Sequence, residues 1–143
     1  MSKGTDVVIH IAKEETPNTL PALPVWHTLR RNSDSLKKTV SLTQSDEIVD
    51  TRFEQGSIAT SGEAVGNIEY DLSALSQDMF FEGVAGNLFV DSGTPSVSTL
   101  EIGGDTLPTY TIVKHDKKVG LIQVFSGCRI GELTIEVDTG GKI

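Results

Sequence analysis

Apolar and polar residues alternate along several short segments of this chain, as they do in β-strands that bury one face. The two clearest segments span residues 63–72 and 129–138. Their apolar positions are Ile68, Tyr70, Leu72, Leu133, Ile135 and Val137. Because successive side chains of a strand point to opposite faces, each segment is predicted to be a strand with one apolar and one polar face.

The polar faces of these two predicted strands are acidic, and they carry Glu69, Asp71, Glu132, Glu136 and Asp138. No Lys or Arg occurs from Phe53 to Val113, although a solvated sheet would be expected to intersperse basic residues. Like charges that face each other across neighbouring strands destabilise a sheet. The pattern therefore indicates either a surface that must not bind a polyanion or an external face whose charge keeps the protein soluble.

The rest of the chain predicts further short strands and one helix. The strands are expected at 7–12, 35–42, 88–90, 97–102, 110–114 and 119–125. The helix is expected to start near Asp71 to Ala74, capped by Asp71 or Ser73, and to end near Gly86. Its apolar positions, which recur at helical spacing, are Leu75, Met79, Phe80 and Val84. Many strands and a single helix predict a mostly β fold, a β-barrel or β-sandwich with one flanking α-helix.

The polar segment 43–62 is too long for a tight hairpin turn, so it is predicted to be an extended loop between two strands. Its large apolar residues are Ile48, Val49, Phe53 and Ile58, and charged residues separate them. This spacing indicates adhesive contacts on an arm rather than an independent hydrophobic unit. A solvated loop without a partner is the alternative.

Length and composition limit the function further. The 143 residues suit one domain, predicted to span 1–143. The 12 basic and 20 acidic residues argue against a surface that grips nucleic acid, which needs a basic stripe. Cys128 is the single cysteine, so no intrachain disulfide forms. No signal peptide or membrane-spanning stretch is recognisable, and the protein is expected to be made and kept in the cytoplasm.

Candidate catalytic residues are scarce. His10, His27 and His115 are scattered without metal-ligand spacing, and His115 falls in a predicted turn. There is no phosphate-binding glycine loop, no nucleophile elbow and no calcium loop. A carboxylate pair of the glycosidase type would need an aromatic cleft that raises one pKa, and the few aromatic residues occupy core-like positions. The chain is therefore not expected to be an enzyme or to hold a cofactor or metal.

Several short motifs follow one another along the chain. They are Trp26 with Leu29-Arg30, Ser33 to Leu36, Ser45 to Ile48 with Arg52, Ser61-Gly62, Gly127 to Ile130, and Gly140-Gly141. Over most of its length, the chain thereby resembles the major tail tube proteins of long-tailed, non-contractile bacteriophages. Asp46 and Thr51 depart from the family pattern, which often has Asn and Asp there. The chain also stops at Ile143, where family members usually continue, so we expect either the N-terminal part of a longer protein or a compact variant.

The resemblance implies a subunit that forms stacked rings with an acidic lumen, through which DNA passes without specific binding. The lumen-facing candidates are Glu69, Asp71, Glu132, Glu136 and Asp138. The loop at 43–62 would contact a neighbouring subunit through Glu47, Ile48, Arg52, Phe53 and Ile58. The partners would be other copies of the chain and further tail proteins at the tube ends, in a virion tail assembled in the host cytoplasm.

Two other interpretations stay open. One is a tube subunit of a contractile injection or secretion machine, which shares the ring-forming fold. The other is a monomeric β-barrel that binds a small ligand or peptide. Rings or tubes in negative-stain micrographs would favour either kind of tube protein, and a monodisperse monomer would favour the binding module.

Overall fold

The computed structural model describes residues 6–43, 58–73, 77–95, 97–137 and 139. The strands, in chain order, are β1 (Val7–Lys13), β2 (His27–Leu29), β3 (Ser33–Asp34), β4 (Lys37–Thr43), β5 (Ile58–Val65), β6 (Ile68–Glu69), β7 (Val90–Ser92), β8 (Val97–Thr99), β9 (Tyr110–Asp116) and β10 (Leu121–Cys128). One helix, α1 (Asp78–Ala85), follows β6. The predicted mostly β fold with one helix is confirmed, although the sheets of the described residues do not close into a barrel.

The chain divides into two units, Arg31–Glu69 and the combination of Met1–Arg30 with Tyr70–Ile143. The larger unit contains a four-stranded antiparallel sheet in the order β10-β9-β1-β2. The register places Ile11 beside Ile112 and Ile112 beside Phe125, and all three side chains are buried. This apolar row across three strands forms the centre of the core.

Helix α1 is tied to the larger unit through Tyr110, whose hydroxyl donates a hydrogen bond to the Met79 carbonyl oxygen at 2.6 Å. The helix packs closely against Ile130 at Gly83, where an added Cβ would lie 2.7 Å from Cδ1 of Ile130 and would displace it. The helix ends as predicted, with Gly86 in the left-handed conformation at φ 72°. Of the predicted apolar stripe, Phe80 is buried, Val84 is exposed and Leu75 lies outside the described residues.

The predicted start of the helix is wrong, because the first residue of α1 is Asp78 and the N-cap position is Gln77. The buried side chain of Gln77 accepts a hydrogen bond from the Ser73 backbone N–H at 2.7 Å. Its amide nitrogen also donates to the Asp71 carbonyl oxygen at 3.1 Å. Both bonds join Gln77 to residues ahead of the helix, and the N-cap position belongs to Gln77 rather than to Asp71 or Ser73.

In the smaller unit, β4 pairs with β5 and β3 pairs with β6. The strand predicted over 63–72 is therefore two separate strands, β5 and β6, with different partners. Gly66 and Asn67 separate the two strands. Here Ser35 and Asn67 exchange two hydrogen bonds of 2.9 Å. Strand β5 also begins at Ile58, earlier than predicted, so the predicted loop at 43–62 has both ends in strands and its residues 44–57 lie outside the described part.

Of the strand predicted over 129–138, the described residues 129–137 form no strand. Strand β10 ends at Cys128, which pairs with Tyr110, the first residue of β9. Two residues before Tyr110 the chain contains Pro108, which has no backbone N–H to extend the ladder. Residues 129–137 therefore run past the end of β9 without a strand partner among the described residues.

Candidate functional site

The open edge of the four-stranded sheet is the strongest candidate for a contact surface. Within the described part of the chain, β10 pairs with β9 on one side and with no strand on the other. None of its eight residues is charged. Ile122 and Val124 share one face and are 59% and 61% exposed. Natural sheets usually protect such edges with charges or prolines, so an uncharged apolar edge is a template for pairing with another chain.

A buried carboxylate fixes the far end of this edge strand. Glu14, which directly follows β1, is 6% exposed. Its Oε1 accepts hydrogen bonds from the Gly127 backbone N–H at 2.9 Å and from the Thr111 hydroxyl at 2.6 Å. Its Oε2 accepts from the Asn18 backbone N–H at 2.8 Å. The carboxylate thereby ties the turn after β1 to β9 and to the irregular end of β10.

The pKa of Glu14 reflects two opposing effects. Burial raises it, but hydrogen bonds to the charged form lower it by more, with the Gly127 N–H making the largest such contribution. The net result is a pKa below the ordinary value, so the group is ionised at neutral pH. Sequence reasoning missed Glu14, because a carboxylate between Lys13 and Glu15 gives no signal of burial.

The turn after β1 makes a second contact with β10. The Ser126 hydroxyl donates a hydrogen bond to Oδ1 of Asn18 at 2.7 Å. Asn18 adopts a positive φ of 61°, which asparagine tolerates better than most residues. Gly127 at φ 66° and a register shift between Phe125 and Cys128 complete this irregular end. The direction in which residues 129–137 leave the sheet is therefore set by local hydrogen bonds.

The acidic residues predicted to face a lumen are exposed wherever the structure describes them. Glu69 belongs to the smaller unit, where its Oε2 accepts a hydrogen bond from the Ser33 hydroxyl at 2.6 Å. Asp71, Glu132 and Glu136 belong to the larger unit, the last two within the unpaired segment after β10. Asp138 lies outside the described residues.

The residues predicted to form an inter-subunit arm are mostly beyond the described part of the chain. Glu47, Ile48, Arg52 and Phe53 lie outside it. Ile58 is the first residue of β5 and pairs with Thr43 of β4. The role of these residues in contacts between subunits stays a prediction.

The remaining reactive side chains have structural surroundings. The Cys128 thiol donates a weak hydrogen bond to the Phe125 carbonyl oxygen at 3.6 Å, and burial, followed by the charge of Glu14, raises its pKa. Nδ1 of His10 lies 3.0 Å from the Thr28 hydroxyl oxygen. His115 lies in β9 rather than in the predicted turn, because that strand continues to Asp116. Among the described residues, no group of three His, Cys, Asp or Glu could hold a metal, and no helix could span a membrane.

Comparison with known proteins decides the family. A family model described as "Phage tail tube protein" matches residues 4–143. The chain belongs to the phage tail tube protein family. No curated protein matches the chain. The resemblance seen in the sequence is thus confirmed, and this tail tube protein has a structural role as a component of the virion tail, which implies assembly with other copies and with other tail proteins.

Proposed function

We propose that this tail tube protein assembles into closed rings that stack into a tube, and that the tube conducts DNA along an acidic lumen. The observation that carries the proposal is the uncharged open edge of β10, with Ile122 and Val124 exposed on one face. Pairing of one copy's edge with a different surface of the next copy is a head-to-tail contact. Such contacts form a ring whenever the rotation between copies closes.

The direct test is the oligomeric state of the purified chain. At high protein concentration, size-exclusion chromatography and negative-stain microscopy should reveal rings or tubes of uniform diameter. A second test is whether the purified chain joins rings formed by the other tail proteins of the same phage. A chain that stays monomeric in both experiments would contradict the proposal and would favour a binding module.

The charge distribution supports the proposed lumen. Between Phe53 and Val113 the sequence has nine acidic residues and no Lys or Arg. Proteins bind DNA chiefly by neutralising phosphates with Lys and Arg, and a wall of carboxylates offers no such groups. Glu132 and Glu136 are the best-placed candidates for mutation, because both are exposed and form no ion pair in the described residues.

Changing Glu132 and Glu136 together to Lys should leave the fold of the subunit intact but slow DNA ejection through the tubes that form. Each new phosphate contact would also steepen the salt dependence of DNA binding, by about 0.9 in the slope of log K against log salt. The measurement is DNA retention by assembled tubes, and ejection kinetics in reconstituted virions, at two salt concentrations. The matched control, Glu132→Gln with Glu136→Gln, removes the charges without adding cations. If the Lys pair behaves like the Gln pair, these residues do not line the lumen.

The predicted arm is part of the same proposal. The sequence from Glu47 to Ile58 carries the apolar residues Ile48 and Phe53 next to charges, which suits burial against a neighbour better than an independent core. Ordering an arm on binding costs conformational entropy, so assembly should be cooperative. Deleting residues 46–57 should spare the fold, measured by thermal unfolding, and abolish tube formation. Tubes that form at the normal rate without this segment would contradict an arm role.

A further inference from the structure

The segment of residues 130–137 has a strand sequence but no strand partner among the residues that the structure describes. Leu133, Ile135 and Val137 alternate with polar residues, and Ile135 and Val137 are 52% and 69% exposed. Within the described part of the chain, residues 131–137 make no backbone–backbone hydrogen bond. A sequence with this alternation normally buries its apolar face and pairs its backbone. The backbone and the apolar face of this segment are therefore available to a partner strand.

The segment is held at one end. Ile130 packs against Gly83 of α1, where a Cβ would come within 2.7 Å of its Cδ1. Glu14 holds the Gly127 N–H three residues earlier. Strand β9 cannot supply the missing partner, because its pairing with β10 ends at Tyr110, just after Pro108. Residues 130–137 are thus a fixed overhang beyond the end of the sheet.

We infer that residues 130–137 of one copy add as a strand to the open edge of β10 in the next copy. This inference rests on the proposed ring assembly and identifies the segments through which neighbouring copies would contact each other. Both segments are eight residues long, and neither is paired on the side concerned with any described residue. Added strands gain affinity from main-chain hydrogen bonds and specificity from alternate side chains. In this pairing, the Leu133, Ile135 and Val137 face extends the apolar face formed by Ile122 and Val124.

The other described edges suit the overhang less well. Strands β2, β7 and β8 have three residues each, and β3 and β6 have two. The longer β4 carries Lys37 and Lys38, the kind of charge that protects an edge, and β5 carries Glu63. Strand β10 is the long edge without charge. Because each copy would give one segment and accept another, the contact is head-to-tail and propagates around a ring.

A disulfide scan tests the pairing directly. All variants carry Cys128→Ala, which removes the native thiol. One chain, with a size tag, carries Val124→Cys, and a second chain carries a single cysteine at one position from 132 to 137. After mixing, assembly and mild oxidation, non-reducing gels measure the disulfide-linked heterodimer. Disulfides need Cβ atoms about 3.5–4.5 Å apart, so strand pairing should give the highest yield at the single position that lies directly opposite Val124 on the same face.

The expected result is several-fold more heterodimer at one of positions 133, 135 and 137, the one opposite Val124, than at 132, 134 or 136. A maximum at an even position, or a yield that does not vary along the segment, would overturn the inference. A tagged chain with Lys38→Cys instead of Val124→Cys probes β4 as the competing acceptor, and a higher yield there would also overturn it. A chain that carries both Val124→Cys and Ile135→Cys gives a further check. If its disulfide forms only within one chain and not between copies, the inference is also overturned.

A proline variant supplies a second readout. Successive residues of a strand direct their N–H groups to opposite sides, so Thr134→Pro with Ile135→Pro removes a donor from whichever side faces β10. The control is Thr134→Ala with Ile135→Ala. Both variants should match in unfolding midpoint, whereas only the proline pair should lose assembly. If the proline pair forms tubes and the scan gives no cross-link, the inference fails while ring assembly stands; if the unmodified chain forms no rings, the proposed function fails first.

Discussion

Replacing Glu14 by Gln is expected to lower the free energy of unfolding by about 1–3 kcal/mol, measured by urea or thermal unfolding. The carboxylate accepts hydrogen bonds from two backbone N–H groups and one hydroxyl while almost fully buried. Gln has one acceptor oxygen, so its NH₂ group must face the N–H of Asn18 or of Gly127. One backbone donor then loses its acceptor, and the charge-assisted bonds are lost.

The effect of Glu14→Gln should depend on pH in a defined direction. The pKa of Glu14 in the folded state is lowered from 4.5, mainly because the Gly127 N–H and other donors outweigh the opposing effect of burial. A lowered folded-state pKa contributes stability that is present above 4.5 and is lost as pH falls through the folded-state value. The difference in stability between native chain and variant should therefore shrink in acid. Glu15→Gln, at the exposed neighbouring position, is the control and should have little effect at any pH. A difference that stays constant from neutral pH into acid would show that the ionised form of Glu14 is not what matters.

Hydrophobic alternation predicted the positions of strands better than it predicted their pairing partners. The predicted first strand at 7–12 is β1, and the strand at 110–114 lies within β9. Both are central in the sheet, where their alternation reflects a buried face. The alternation at 63–72 and 129–138 is equally regular, but local pattern carries no information about partners. Whether such a segment pairs depends on remote residues, such as Pro108 for 129–138 and Ser35 for 63–72.

The candidate site shows the same limit. That Leu121–Cys128 contains no charge can be read from the sequence. Its position at the edge of a sheet follows only from the strand order β10-β9-β1-β2, in which β10 is outermost. Glu14 is harder still, since its donors include Asn18, Thr111 and Gly127. Two of these are about a hundred residues away in the chain, and no local pattern brings them together.

Replacing Val124 by Lys is expected to abolish ring and tube formation while leaving the isolated subunit folded. Val124 is 61% exposed, so a lysine fits there in the monomer, and its effect on stability should stay within about 0.5 kcal/mol. In the proposed assembly the same position lies against an added strand. Burying an unpaired ammonium group there costs several kcal/mol, and lysine is the residue by which natural sheets protect their edges.

The matched control for Val124→Lys is Val119→Lys, which adds the same charge at a 69% exposed position in the turn before β10. Both variants should have the thermal midpoint of the native chain, and only Val124→Lys should stay monomeric in size-exclusion chromatography and negative-stain micrographs. Equal loss of assembly in both variants would indicate a general charge effect. Normal tubes from Val124→Lys would show that β10 is not the edge through which copies meet. Because the two lysines lie only five positions apart and differ in whether they belong to the open strand, the comparison isolates edge pairing from net charge.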